Sequence, residues 1–118
     1  MNVSPVSAPF AVTHALQDGI IVLRVSGELD LSTAPELCHE LDLARAGAER
    51  IVVDLAEVEF CDSTGLRALM GAAREVEIAS GRIAFVVPPG SPAARLLNVT
   101  GAREFLTVAD SPAEALAA

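Results

Sequence analysis

Two short polar segments, Gly27-Glu28-Leu29-Asp30-Leu31-Ser32-Thr33 and Cys61-Asp62-Ser63-Thr64-Gly65-Leu66, hold the residues of this chain that could carry chemistry. In the second, Ser63 lies directly before a helical apolar pattern, so its hydroxyl has several conceivable uses. A hydrolase nucleophile would want a G-x-S-x-G elbow and a histidine to orient and deprotonate it. Here Cys61 stands where the first glycine would be, and nothing in sequence recommends His14 or His39 as the base. A phosphate-binding loop would want several glycines and a lysine, but Gly65 stands alone and the chain contains no lysine. The missing lysine also removes an aspartyl phosphoacceptor at Asp54, which reads instead as a strand-end residue bonded to the following turn. The remaining chemical use is to receive a phosphoryl group. That modification would add about −1.5 to −2 charge beside Asp62, at a helix start whose dipole and free N–H groups partly stabilise it. The plainer alternative is that Ser63 or Thr64 caps the helix, with Asp30, Thr33 and Asp62 also serving as caps and turn residues. The residues alone leave both open.

Each segment follows a strand pattern and opens a helix. Phe10–Leu16 alternates weakly, Asp18-Gly19 signals a hairpin turn, and Ile20–Val25 answers as the second strand. Thr33-Ala34-Pro35-Glu36 has the form of a capping box with proline in the first turn. The helix it opens should bury Leu37, Cys38, Leu41 and Ala44 or Ala48. Ile51-Val52-Val53-Asp54-Leu55 is the β-branched run of a strand buried on both faces. Leu66, Leu69, Met70, Ala73 and Val76 then recur at helical spacing, and Ile83–Val87 is a further apolar strand. Ser91-Pro92 opens a short helix carrying Leu96 and Val99, a brief strand is expected at 105–108, and Ser111–Glu114 is a second capping box before a helix containing Leu116. The order is that of an α/β fold: a mixed sheet, with a leading hairpin plus parallel strands, flanked by about four helices. In such folds the C-terminal ends of the strands converge on one edge, so the two polar segments could form a single surface.

At 118 residues the chain is one domain. Residues 1–9 read as a flexible N-terminal leader and 10–118 as the folded unit. A net charge of −8 argues against nucleic acid and against direct binding to an anionic membrane. No apolar run reaches the ~18 residues of a membrane span. The N-terminus lacks the basic and apolar regions of a secretory signal, so a cytoplasmic location is expected. Cys38 and Cys61 have neither zinc-site nor disulfide spacing and read as two reduced, largely buried thiols. No metal or cofactor is implied.

Taken together, these segments resemble the STAS domain family, and within it the bacterial anti-sigma factor antagonists. The Gly27-Glu28-Leu29-Asp30 turn with Thr33 and Leu37 is similar to the family's first signature. Val52-Val53-Asp54-Leu55 with Phe60-Cys61-Asp62-Ser63-Thr64-Gly65-Leu66 is similar to its second. Gly81-Arg82, Leu96–Gly101 and Phe105 match its C-terminal half, so the likeness spans roughly residues 10–118. The resemblance implies a cytoplasmic partner-switching protein that is not an enzyme and needs no cofactor. Ser63 holds the position of the serine phosphorylated by an anti-sigma factor that is also a serine kinase. The unphosphorylated form would bind that factor and free the sigma factor, and a PP2C-type phosphatase would restore it. Asp30, Thr33, Asp62, Ser63, Thr64 and Gly65 would face the partner. The alternative within the family is a non-phosphorylated accessory subunit of an ABC-type lipid transporter.

Overall fold

The computed structural model describes residues 9–117. Residues 1–8, most of the expected leader, lie outside them. A hairpin of β1 (Ala11–Gln17) and β2 (Ile20–Leu29) opens the fold. Gln17 pairs with Ile20, and the two turn residues Asp18 and Gly19 have φ of 52° and 79°. Both angles are positive, the type I′ geometry that matches strand twist. There follow α1 (Ala34–Gly47), β3 (Arg50–Cys61), α2 (Ser63–Ile78), β4 (Arg82–Val86), α3 (Pro92–Thr100), a 3₁₀ turn (Ala102–Phe105), β5 (Val108–Ala109) and α4 (Pro112–Ala117). The sheet order is β1-β2-β3-β4-β5, with β1 antiparallel to β2 and the remaining pairs parallel. This is the expected mixed sheet with a leading hairpin.

One face carries the main core. Leu23, Val25, Val53, Leu55 and Phe85 of the sheet pack against Leu37 and Leu41 of α1, Leu66 and Leu69 of α2, and Leu97 of α3. The opposite face carries a smaller cluster, in which Val22, Val52, Ala84 and Val86 meet Ala115 of α4. Covering both faces is what requires the consecutive apolar residues Ile51, Val52 and Val53 of β3, the first and third on the main core and the second on the smaller cluster.

β3 runs well past Leu55, where the sequence suggested a short connection. The register steps from Arg24↔Asp54 to Ser26↔Glu57, and from Gly27↔Val58 to Glu28↔Phe60, so β3 carries an extra residue at each step. Two bulges bend its last half. Asp54 is therefore inside a strand rather than at its end; it is buried, and its Oδ1 accepts from Ala56 N at 2.9 Å across the first bulge. Gly27 meets the second bulge with φ of 90°, a conformation that favours glycine.

Several helix details depart from expectation. Thr33 already has near-helical backbone (φ −104°, ψ −21°), so its hydroxyl is not presented to Glu36 N and no capping box forms. Glu36 N donates instead to the Thr33 carbonyl at 3.0 Å. The buried stripe of α1 is Ala34, Leu37, Leu41 and Ala44; Cys38 falls one position off it and is exposed. In α3 the core position is Leu97, whereas Val99 faces solvent. The expected strand at 105–108 is replaced by the 3₁₀ turn, which follows the left-handed Gly101 cap, and by the two-residue β5. The second box is made on its serine side, Ser111 Oγ accepting from Glu114 N at 3.2 Å. Among the described residues, no helix is long and apolar enough to cross a membrane.

Candidate functional site

The site lies where β2 and β3 end side by side. Leu29 and Cys61 are register partners, and Asp62 N donates to the Leu29 carbonyl at 3.3 Å. The β2–α1 loop and the start of α2 are thereby joined through one backbone segment. Of the expected partner-facing residues, Asp30, Thr33, Asp62 and Thr64 are half-buried, Ser63 is exposed and Gly65 is buried.

The first loop is closed on itself. Asp30 Oδ1 accepts from Ser32 Oγ (2.8 Å), Ser32 N (3.0 Å) and Thr33 N (3.3 Å). Thr33 Oγ1 donates to the Glu28 carbonyl at 2.7 Å and accepts from Asp30 N at 2.9 Å. The Ser32 hydroxyl, followed by the backbone N–H groups of Ser32 and Thr33, holds the Asp30 carboxyl below its ordinary value. Because that value is lowered, the loop keeps these bonds at neutral pH and loses them only as pH falls through the lowered value. Leu31, between these polar residues, is left 75% exposed.

The second loop settles what caps α2. Asp62 is the N-cap, with extended backbone and Oδ1 accepting from Gly65 N at 3.0 Å. A cap of this type contributes about 1 kcal/mol. Ser63 is then the first residue of the helix, and its hydroxyl makes no hydrogen bond among the described residues. Neither Ser63 nor Thr64 is the cap. Ser63 is free because Asp62 does the capping.

Gly65 explains how the two loops come so close. A Cβ there would lie 2.6 Å from the Leu29 carbonyl oxygen, 2.8 Å from Leu29 Cγ and 3.1 Å from Cys61 Sγ. Only glycine fits without moving the sheet. Gly65, itself buried, is what allows this approach.

Beyond Ser63 an open groove of about 640 Å³ runs along α2, lined by Ser63, Leu66, Arg67, Met70, Arg74 and Phe105 among others. No histidine lines it. His14 pairs with Glu40 of α1, and His39 is an exposed α1 residue. No three His, Cys, Asp or Glu side chains among the described residues gather as metal ligands would. Exposed Leu31, Phe60 and Phe105 were not singled out as site residues from sequence. The signal for Phe60 was present but obscured, since β3 beyond Leu55 buries every third residue (Leu55, Val58, Cys61) instead of alternating.

The two thiols differ in a way that can be measured. Burial, and then the charge of Asp62, push the Cys61 thiol up to about 11. Cys38 is also raised, by burial first and then by Asp42 and Glu75, but it is exposed. Thiolate is the reactive form. Titration of the native protein with a thiol reagent near pH 8 is therefore expected to show one accessible thiol, Cys38, with Cys61 reacting only after unfolding. Two fast thiols in the native state would contradict the burial of Cys61.

Residues 12–108 match the family model described as "Mlab, STAS domain". The chain is 32% identical over 100 residues to the anti-sigma F factor antagonist of Paenibacillus polymyxa, covering 83% of this chain and 85% of that protein. Its fold is similar to the crystal structure of an anti-sigma factor antagonist from Mycobacterium paratuberculosis, with a TM-score of 0.79, 28% identity and coverage of 95% and 97% of the two chains. It is also similar to the Bacillus cell fate determinant SpoIIAA in the phosphorylated form, with a TM-score of 0.64, 23% identity and coverage of 92% and 97%.

Proposed function

This chain belongs to the STAS domain family, and from that premise we propose that it is an anti-sigma factor antagonist switched by phosphorylation of Ser63. The unphosphorylated surface formed by Asp30, Thr33, Asp62, Ser63 and Thr64 binds an anti-sigma factor, and the sigma factor is released. The names of its relatives support the class of partner. The observation that carries the switch is the Ser63 hydroxyl: exposed, first in α2, and left unbonded because Asp62 caps the helix.

The partner is also the kinase, and ATP is bound by the partner. Ser63 Oγ forms the bond to the γ-phosphorus, the bond to the ADP oxygen breaks, and the hydroxyl proton passes to a base on the kinase. A PP2C-type phosphatase later transfers the phosphoryl group to water and restores the hydroxyl. This chain contributes no catalytic group; it is substrate and ligand. Phosphorylation leaves the fold in place, because Ser63 is outside the core and the Asp62–Gly65 cap does not involve its hydroxyl. A protein of this fold has been solved in a phosphorylated form.

The test is incubation of the purified chain with its cognate anti-sigma kinase and ATP, read by intact mass and peptide mapping. One added phosphate at Ser63 is expected, and none in Ser63→Ala. Pull-down of an ABC-type ATPase from the native cell, with Ser63 unmodified there, would replace this reading with that of a transporter accessory subunit.

A further inference from the structure

Resting on the reading of Ser63 as the phosphorylated residue, we propose that Arg67 is the positioning residue for the phosphoryl group. It clamps the group along α2 as an intrahelical counter-ion. Ser63 and Arg67 are four residues apart on α2 and line the same groove, so they share one face of the helix. Arg67 is exposed, and its guanidinium makes no ion pair or hydrogen bond among the described residues. Arg45 and Arg103, by contrast, are engaged: Arg45 bonds Asp42 and Glu75 at 3.0 and 2.7 Å, and Arg103 bonds Asn98 at 3.3 Å. An anion placed N-terminal to a cation at this spacing is the more favourable orientation, because it also suits the helix dipole.

The start of the helix offers a phosphate only part of its donors, the N–H groups of Ser63 and Thr64. Asp62 has taken Gly65 N with its carboxylate and Leu66 N with its carbonyl, the latter at 2.9 Å. Its charge also opposes a second anion beside it. A guanidinium fork one turn away supplies what is missing, two N–H donors matched to phosphate oxygens. Arg74, the other arginine lining the groove, is three turns from Ser63, about 16 Å along the axis, and out of reach. Phosphorylation thus has two effects at once. It adds anionic bulk at the end of the groove, and it occupies the cation that the unmodified protein offers there.

The test uses the full chain with phosphoserine installed at position 63 by genetic encoding, so no kinase is needed. Wild type, Arg67→Gln and Arg67→Lys are each melted with serine and with phosphoserine, at low and high ionic strength. At low salt, phosphoserine is expected to shift Tm more favourably in wild type than in Arg67→Gln, by about 2–4 °C. The difference should shrink at high salt, and Arg67→Lys should recover part of it. The Arg67 Nε–H resonance should move only when phosphoserine is present, a change that a merely structural arginine would not show. Equal Tm shifts in wild type and Arg67→Gln, or an unmoved Nε–H resonance, would overturn the clamp. Failure of a kinase to label Ser63 would sink the switch and leave this result standing.

Discussion

Ser63→Glu is expected to weaken binding to the anti-sigma partner by about 100-fold, or about 2.7 kcal/mol, while its melting temperature stays close to wild type. Ser63→Ala is expected to bind like wild type and to keep binding in the presence of ATP. The reasoning starts from position. Ser63 is exposed at the start of α2, so a carboxylate there meets no steric obstacle within the chain. A docked partner, however, would have to desolvate a charge lying beside Asp62 in a protein already at −8. Like charges juxtaposed at an interface cost several kcal/mol, more than the loss of one hydroxyl contact. Titration calorimetry alongside a thermal melt reads both quantities. Loss of binding accompanied by unfolding would show that Ser63 holds the fold, contrary to the free hydroxyl seen here.

The second large effect comes from a pair of glycines on one helix. Gly65→Ala and Gly71→Ala make the same substitution six residues apart in α2, yet their effects should have opposite signs. Helix propensity favours alanine by about 1 kcal/mol at both sites. At Gly71 nothing lies within 4 Å of the added Cβ, so propensity decides and the protein should gain about that amount. At Gly65 the Cβ would meet the Leu29 carbonyl oxygen at 2.6 Å. That atom belongs to sheet backbone and cannot swing aside as a side-chain tip would. Overpacking of this kind costs about 1–3 kcal/mol or more, which outweighs the propensity gain. The melt of Gly65→Ala should fall by several degrees, with the joint between the two loops the first structure lost. Stabilisation by Gly65→Ala would mean that the loops are not in close contact.

How much could be read in advance follows from which interactions are local. The hairpin was legible because Asp18-Gly19 specifies its own turn, and α2 because Leu66, Leu69, Ala73 and Val76 keep strict helical spacing. Ser63 was legible as a position but not as a free hydroxyl. Asp62, Ser63 and Thr64 are all good caps, and only the geometry shows the Asp62 carboxylate on Gly65 N. Thr33 misled for a tertiary reason, since its hydroxyl is drawn to the Glu28 carbonyl at the end of β2 and away from its own helix. The far half of β3 was hidden by its two bulges, which break the alternation that marks a strand. Cys38 beside Leu37 shows how a helical stripe can be drawn one residue too wide when the mean pattern is weak. Gly65 is the most informative case. Its place in the motif was visible, but the reason for it, a carbonyl oxygen from a strand more than thirty residues earlier, is a contact between distant segments.

The most direct test of the switch is titration of the cognate anti-sigma factor with two forms of this chain, one unmodified and one carrying phosphoserine at position 63. The unmodified form should bind and displace the sigma factor, and the phosphorylated form should bind at least about 100-fold more weakly and leave the sigma factor in place. Equal affinity of the two forms, with the phosphate confirmed by mass, would contradict Ser63 as the switch.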